Sequence, residues 1–193
     1  MPDAPAQLFF DYVDPASLLV ERRLAEVESA LGVVVRRRPF ELRPPPAPLL
    51  DPEDPAWLKY WTDMAEAARG DGLELAAAPS LVPWTRKAHE LAHHARGHDL
   101  FEPVHRSLFH AFLVEGRDIG RVDVLAEMGR THGLDWTDTR ATLDVDKHAG
   151  AVEEGRAAAE RLGIRGVPTL LAGARSLEGL HPPDSIAAFL EDR

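Results

Sequence analysis

An α/β domain carrying a large helical insertion is the fold class this sequence predicts, and three observations carry it. Early in the chain, the apolar run Gln7-Leu8-Phe9-Phe10 turns at Asp14-Pro15 into a helix and then reaches a second strand. Late in the chain, Gly166 to Glu178 reads as two short strands, and Pro183 opens one more helix. From about Glu53 to Leu162 the pattern between them is almost wholly helical.

The elements follow in order. Gln7 to Phe10 is rich in aromatic and apolar residues, as a buried strand requires. Asp14 is a good N-cap, and Pro15 suits the first helical position because its missing N–H would be unpaired there anyway. Leu31-Gly32 reads as the helix end. Val33-Val34-Val35 is expected to begin a second strand, running through Arg36-Arg37-Arg38 towards Phe40-Glu41-Leu42. Strand, helix and strand of this length form a βαβ unit, for which a parallel pair is expected. Pro44-Pro45-Pro46, with Pro48, Pro52 and Pro55, stiffens the connection that follows. Helices are expected at Trp57 to Arg69, Thr85 to Arg96, Glu102 to Val114, Val122 to Gly129, Trp136 to Leu143 and Lys147 to Leu162. Glycines at 70, 97 and 116 punctuate them. Leu170-Leu171-Ala172 and Ser176-Leu177-Glu178 then pair across a tight turn at Gly173-Ala174-Arg175. Ile186, Phe189 and Leu190 follow at helical spacing.

Composition narrows the function. The chain has 193 residues, 45% hydrophobic and 28% charged, with a formal net charge of −10. Phosphate backbones and anionic lipids call for a basic face, so neither a nucleic-acid nor a membrane partner is expected. No apolar run approaches the roughly 20 residues that span a bilayer. Met1-Pro2-Asp3-Ala4-Pro5 lacks the basic and apolar regions of a secretory signal, so a cytoplasmic location is expected. There is no cysteine, hence no disulfide, thiolate or Cys-ligated zinc.

The turn at Asp14-Pro15-Ala16-Ser17 is the first candidate site, because free N–H groups and the positive end of a helix dipole meet there. Helix capping alone explains Asp14-Pro15, and a hydroxyl in a first turn commonly bonds backbone; catalytic roles for Asp14 and Ser17 are the alternative. A second signal is His89-Glu90-Leu91-Ala92-His93, which matches the H-E-x-x-H pattern of zinc proteases. Ala88, Leu91, Ala92 and Ala95 mark that helix's apolar face, so His89 and His93 are expected to face solvent and no metal centre is expected there. A metalloprotease is the remote alternative. The remaining histidines offer no persuasive ligand spacing. Trp57, Tyr60 and Trp61 form an aromatic stripe, read first as core, with Trp61 a candidate to line a pocket.

Phe10-Asp11-Tyr12-Val13 before a four-residue turn, and the loop Gly166-Val167-Pro168-Thr169, resemble the DsbA family. The intervening segments resemble its FrnE-like branch, related to 2-hydroxychromene-2-carboxylate isomerase and the kappa-class glutathione transferases. Those segments are Arg86 to Leu91, Leu108 to Phe112, Glu115 to Ile119 and Glu178 to Pro182. The resemblance implies a thioredoxin-like domain of residues 1–50 and 163–193, with residues 51–162 as an inserted helical domain. It also implies a cis Pro168 facing the turn, with the Val167 backbone open to an extended, peptide-like ligand.

The departures decide the functional expectation. Asp14 and Ser17 stand where the family has its two cysteines, so the mixed disulfide of thiol exchange cannot form. Relatives that use glutathione carry serine at the first position, and an ionised Asp14 would repel a thiolate. Trp84 replaces a frequent asparagine. The expectation is therefore a family member without disulfide chemistry that binds a small molecule or peptide in the former active-site cleft, through Val167, Pro168, Trp84 and Trp61. A glutathione-dependent isomerase or transferase, with glutathione as the implied cofactor, is the runner-up. The oligomeric state stays open, a homodimer among the options.

Overall fold

The computed structural model describes residues 5–192. Met1 to Ala4, where the lack of a secretory signal was read, fall outside them. The elements in chain order are β1 (Gln7–Phe10), α1 (Pro15–Leu31), β2 (Arg36–Pro39), α2 (Pro55–Gly70), α3 (Arg86–Arg96) and α4 (Phe101–Leu113). Then come α5 (Val122–Thr131), α6 (Trp136–Asp144), α7 (Ala149–Arg161), β3 (Thr169–Ala172), β4 (Arg175–Glu178) and α8 (Pro183–Glu191). Within the described residues they fall into two units, the first ending at Leu42 and resuming at Gly155, the second running over Arg43–Glu154. The first boundary precedes the proline-rich stretch, and the second lies inside α7.

The first unit is built on a four-stranded sheet in the order β2-β1-β3-β4. β1 and β2 are parallel, as the helix between them demands, while β1–β3 and β3–β4 are antiparallel. Side chains alternate across the sheet with period two. Leu8 and Leu170 share a core with Val20, Leu24 and Val27 of α1 and Ile186 and Leu190 of α8. Phe9 and Leu171 face the other way, onto Phe40, Ala159 and Ile164. Both faces of the sheet are thus covered, and the apolar run at β1 is explained. Gly173 takes φ +60 in the β3–β4 turn, a conformation that favours glycine.

The second strand begins later than the valines suggest. Gly32 is left-handed, with φ 65, and its N–H and that of Val33 both bond to the Glu28 carbonyl. The Glu28 side chain accepts the Val35 N–H at 2.6 Å. Val33 to Val35 are therefore tied back to α1, and the ladder starts at Arg36, opposite Gln7. This puts an arginine-rich strand at the sheet edge, where charge discourages pairing with another chain. Arg37 is bound there by Glu21 at 2.8 Å and by Glu28 at 2.7 Å, and all three side chains are largely buried. Burial opposes the Arg37 charge, but the two carboxylates outweigh it and raise its pKa further above the solvent range.

In the second unit α3 is central, packing against α4, α5 and α6. Asp54 caps α2 through the Ala56 N–H, and Asp135 caps α6 through the Asp138 N–H. Trp61 packs edge-on against Phe112, with Trp57 beside it. No helix among the described residues is long and apolar enough to cross a membrane.

Candidate functional site

The turn between β1 and α1 is closed on itself. Asp14 takes extended backbone angles at the N-cap, and its Oδ2 accepts both the Ser17 N–H at 2.8 Å and the Ser17 hydroxyl at 2.6 Å. The Ser17 oxygen in turn accepts the Asp11 N–H at 3.4 Å. Asp14 is 4% exposed and Ser17 is fully buried. Ser17 is thus a hydroxyl already donating to a carboxylate, and Asp14 meets two donors at one oxygen. The capping reading accounts for every contact named here. Asp11, which the sequence reading passed over, is also buried, and its Oδ2 accepts the Leu42 N–H at 2.8 Å. An acid inside the apolar run Phe9 to Val13 was the available signal, because a buried carboxylate needs partners.

The strand register brings the second candidate to this turn. Thr169 lies opposite Phe9 in the antiparallel β1–β3 pair, so Pro168 comes next to Phe10, at the strand end where the turn begins. The Val167–Pro168 peptide is cis. Pro168 is buried and Val167 half-buried. The Pro168 carbonyl accepts the Gly179 N–H at 2.9 Å, and the Thr169 hydroxyl donates to the Gly166 carbonyl at 2.8 Å. Asp14, Ser17, Val167 and Pro168 therefore belong to one end of one sheet.

The other candidates belong to the helical unit. Trp61 is 4% exposed and its indole N–H donates to the Ala76 carbonyl at 3.1 Å, so the role seen for it is packing. Trp84 is 40% exposed, and its indole N–H bonds the Ala47 carbonyl at 2.9 Å. It lines a cavity of about 550 Å³ together with Leu49, Leu81, Arg86, Lys87 and Arg121. The cations there are matched by acids: Arg86 meets Glu153 at 2.5 Å, and Lys87 meets Asp146 at 2.6 Å and Glu90 at 3.1 Å. Burial works against the Lys87 charge, but its bonds to Asp146 and Glu90 hold it above the usual lysine range.

The H-E-x-x-H segment is corrected in one respect. His93 is exposed as expected, but His89 is only 2% exposed. The helical wheel assigned α3 one apolar face, whereas its packing against three helices buries positions 88 to 92 and 94 to 95. Glu90 is buried too, accepting the His148 N–H at 3.0 Å and pairing with Lys87. The carboxylate that a zinc protease would use as base is a structural link here. The fold instead gathers His94, His98 and Asp138, whose ligand atoms all lie within 4.8 Å of one another. Burial, with His98 adding to it, pushes the His94 imidazole below the usual histidine range.

The sequence matches the DSBA-like thioredoxin domain over residues 7–191. The chain belongs to the DSBA-like thioredoxin family. The YwbO protein of Bacillus subtilis is 28% identical over 191 residues, covering 96% of this chain and 95% of that protein. Among solved structures, a probable DsbA oxidoreductase of Streptomyces coelicolor superposes with a TM-score of 0.86 at 22% identity, over 97% of this chain and 88% of that one. A 2-hydroxychromene-2-carboxylate isomerase gives 0.76 at 19%, over 98% and 93%. The cytosolic disulfide reductase DsbM of Pseudomonas aeruginosa, solved with GSH, gives 0.70 at 19%, over 98% of both chains. These likenesses establish the thioredoxin-like DsbA fold. This chain has no cysteine and cannot form the mixed disulfide of thiol exchange.

Proposed function

We propose that this protein is a DSBA-family member without thiol–disulfide activity that binds a small molecule or peptide at the end of the sheet shared by the Asp14–Ser17 turn and the Val167–Pro168 loop. One observation carries the reading. The turn offers no thiol, and Ser17 is fully buried with its hydroxyl committed to Asp14, whereas the neighbouring loop brings backbone to the same sheet end. An extended ligand there would pair with the Val167 backbone in the manner of an added strand.

The second reading, a glutathione-dependent isomerase or transferase, draws support from the isomerase and the GSH-bound reductase among the structural relatives. Against it stands a carboxylate where a thiolate would have to sit. Amide NMR separates the two, with glutathione and S-methylglutathione as probes. Peptide-like binding shifts the amides of Val167 and Thr169 with both compounds. Thiol-dependent chemistry responds to glutathione alone. Loop amides unmoved by either compound, and by a panel of short extended peptides, would overturn the binding proposal.

A further inference from the structure

The geometry points to a divalent transition-metal site in the helical unit, formed by His94, His98 and Asp138 and suited to zinc. His94 lies in the last turn of α3, and His98 follows one turn on, just past the helix end. Asp138 comes from the first turn of α6. The His94 Nε2 and an Asp138 carboxylate oxygen are 3.3 Å apart. Zinc bound tetrahedrally at about 2.0–2.1 Å sets neighbouring ligand atoms roughly 3.3–3.4 Å apart, so this pair already spans one edge of such a polyhedron. The third ligand atom lies within 4.8 Å of both, close enough for a rotamer change of the exposed His98 to bring it in.

The donor set fits the chemistry. Two imidazoles and a carboxylate suit zinc, and three protein ligands leave a fourth position for water. The scaffold holds the ligands from separate directions. Asp135 caps α6 and fixes the turn that carries Asp138. His94 is buried on α3, its ring 4.8 Å from that of His98 and 5.8 Å from that of His148. The buried His148 Nε2 has no hydrogen-bond partner among the described residues, which leaves a polar group beside the site for a bound water. A metal here would clip the end of α3 to the start of α6. This site is separate from the H-E-x-x-H pattern, whose Glu90 is engaged elsewhere.

The test is calorimetry with zinc chloride on metal-stripped protein, paired with cobalt(II) absorption as a report of tetrahedral geometry. One equivalent should bind, the thermal midpoint should rise, and cobalt should show the strong visible bands of a tetrahedral ion. His98→Ala and Asp138→Ala alter exposed side chains and should leave the fold intact by circular dichroism. Altering groups that merely support a ligand weakens metal sites about 10–100-fold, so each variant should bind at least ~10-fold more weakly. His93→Ala should bind as the wild type does. Absence of saturable binding would overturn the site, and so would one-to-one binding indifferent to His98 and Asp138 but lost in His93→Ala.

Discussion

Asp14 and Ser17 close the turn that opens α1. Aspartate and serine are both favoured around a helix start, and each here serves the other. The cap satisfies a backbone N–H that α1 would otherwise leave unpaired, and the hydroxyl bond adds a charge-assisted contact. Losing an N-cap costs roughly 0.5–2 kcal/mol, and losing a buried hydrogen bond about 1 kcal/mol. Asp14→Ala should therefore lower stability by about 2 kcal/mol, because the Ser17 hydroxyl also loses its acceptor. Ser17→Ala should cost about 1 kcal/mol, because the cap itself remains. Urea unfolding of the two variants and the double variant checks this. The double variant should cost clearly less than the sum, since the residues share one bond. Strict additivity would mean that the bond is not formed in solution. The capping role of Asp14 was legible in the sequence, because Asp-Pro before an amphipathic run has a local cause. The acceptor role of Asp11 towards Leu42 was not, because its partner lies across the sheet.

Elements whose cause is local were read correctly, and errors arose where tertiary packing decided. The helix ends at glycines and the β3–β4 hairpin follow from turn chemistry. Val33 to Val35 have the composition of a strand, yet the chain there is held by Glu28 and the left-handed Gly32, and the ladder belongs to the arginines beyond. His89 was misplaced for a related reason: a one-faced wheel cannot anticipate a helix packed on three sides. The edge strand β2 depends on Arg37, the counter-charge for two carboxylates. Arg37→Met should leave Glu21 and Glu28 largely buried without that charge. Removing one partner of a buried ion pair costs about 3–5 kcal/mol, and the residual exposure of Glu28 places the expected loss near ~3 kcal/mol. Adding Glu21→Gln and Glu28→Gln should recover much of it, because the repulsion disappears with the charges. The measurement is the shift in urea midpoint. A loss below about 1 kcal/mol for Arg37→Met would show that the network is a surface pair of little weight.

At the scale of the whole chain, the fold is the thioredoxin-like DsbA fold and the sequence has no cysteine. The family was legible because its segments recur in order along the sequence; the arrangement of His94, His98 and Asp138 was not, because Asp138 comes from another helix. The question raised by the whole molecule is whether the sheet end retains everything but the cysteines. Wild-type protein should show no insulin-reduction turnover above buffer. The double substitution Asp14→Cys with Ser17→Cys should place a dithiol at the N-terminus of α1. Position 14 stands at the helix N-terminus, where the dipole and free N–H groups favour an anion, so the first thiol should titrate below the free value of about 8.5. Position 17 is fully buried, which suits a second thiol that closes the disulfide from inside. The register places the Val167–Pro168 loop alongside. Loss of the Asp14 cap costs no more than roughly 2 kcal/mol, within what a domain of ordinary stability tolerates. The thiol pKa is read from thiolate absorbance and the activity from insulin reduction with dithiothreitol. A folded variant whose first thiol titrates like free cysteine and gives no turnover would show that Asp14 is a helix cap and nothing more, and that the turn is not an active-site scaffold.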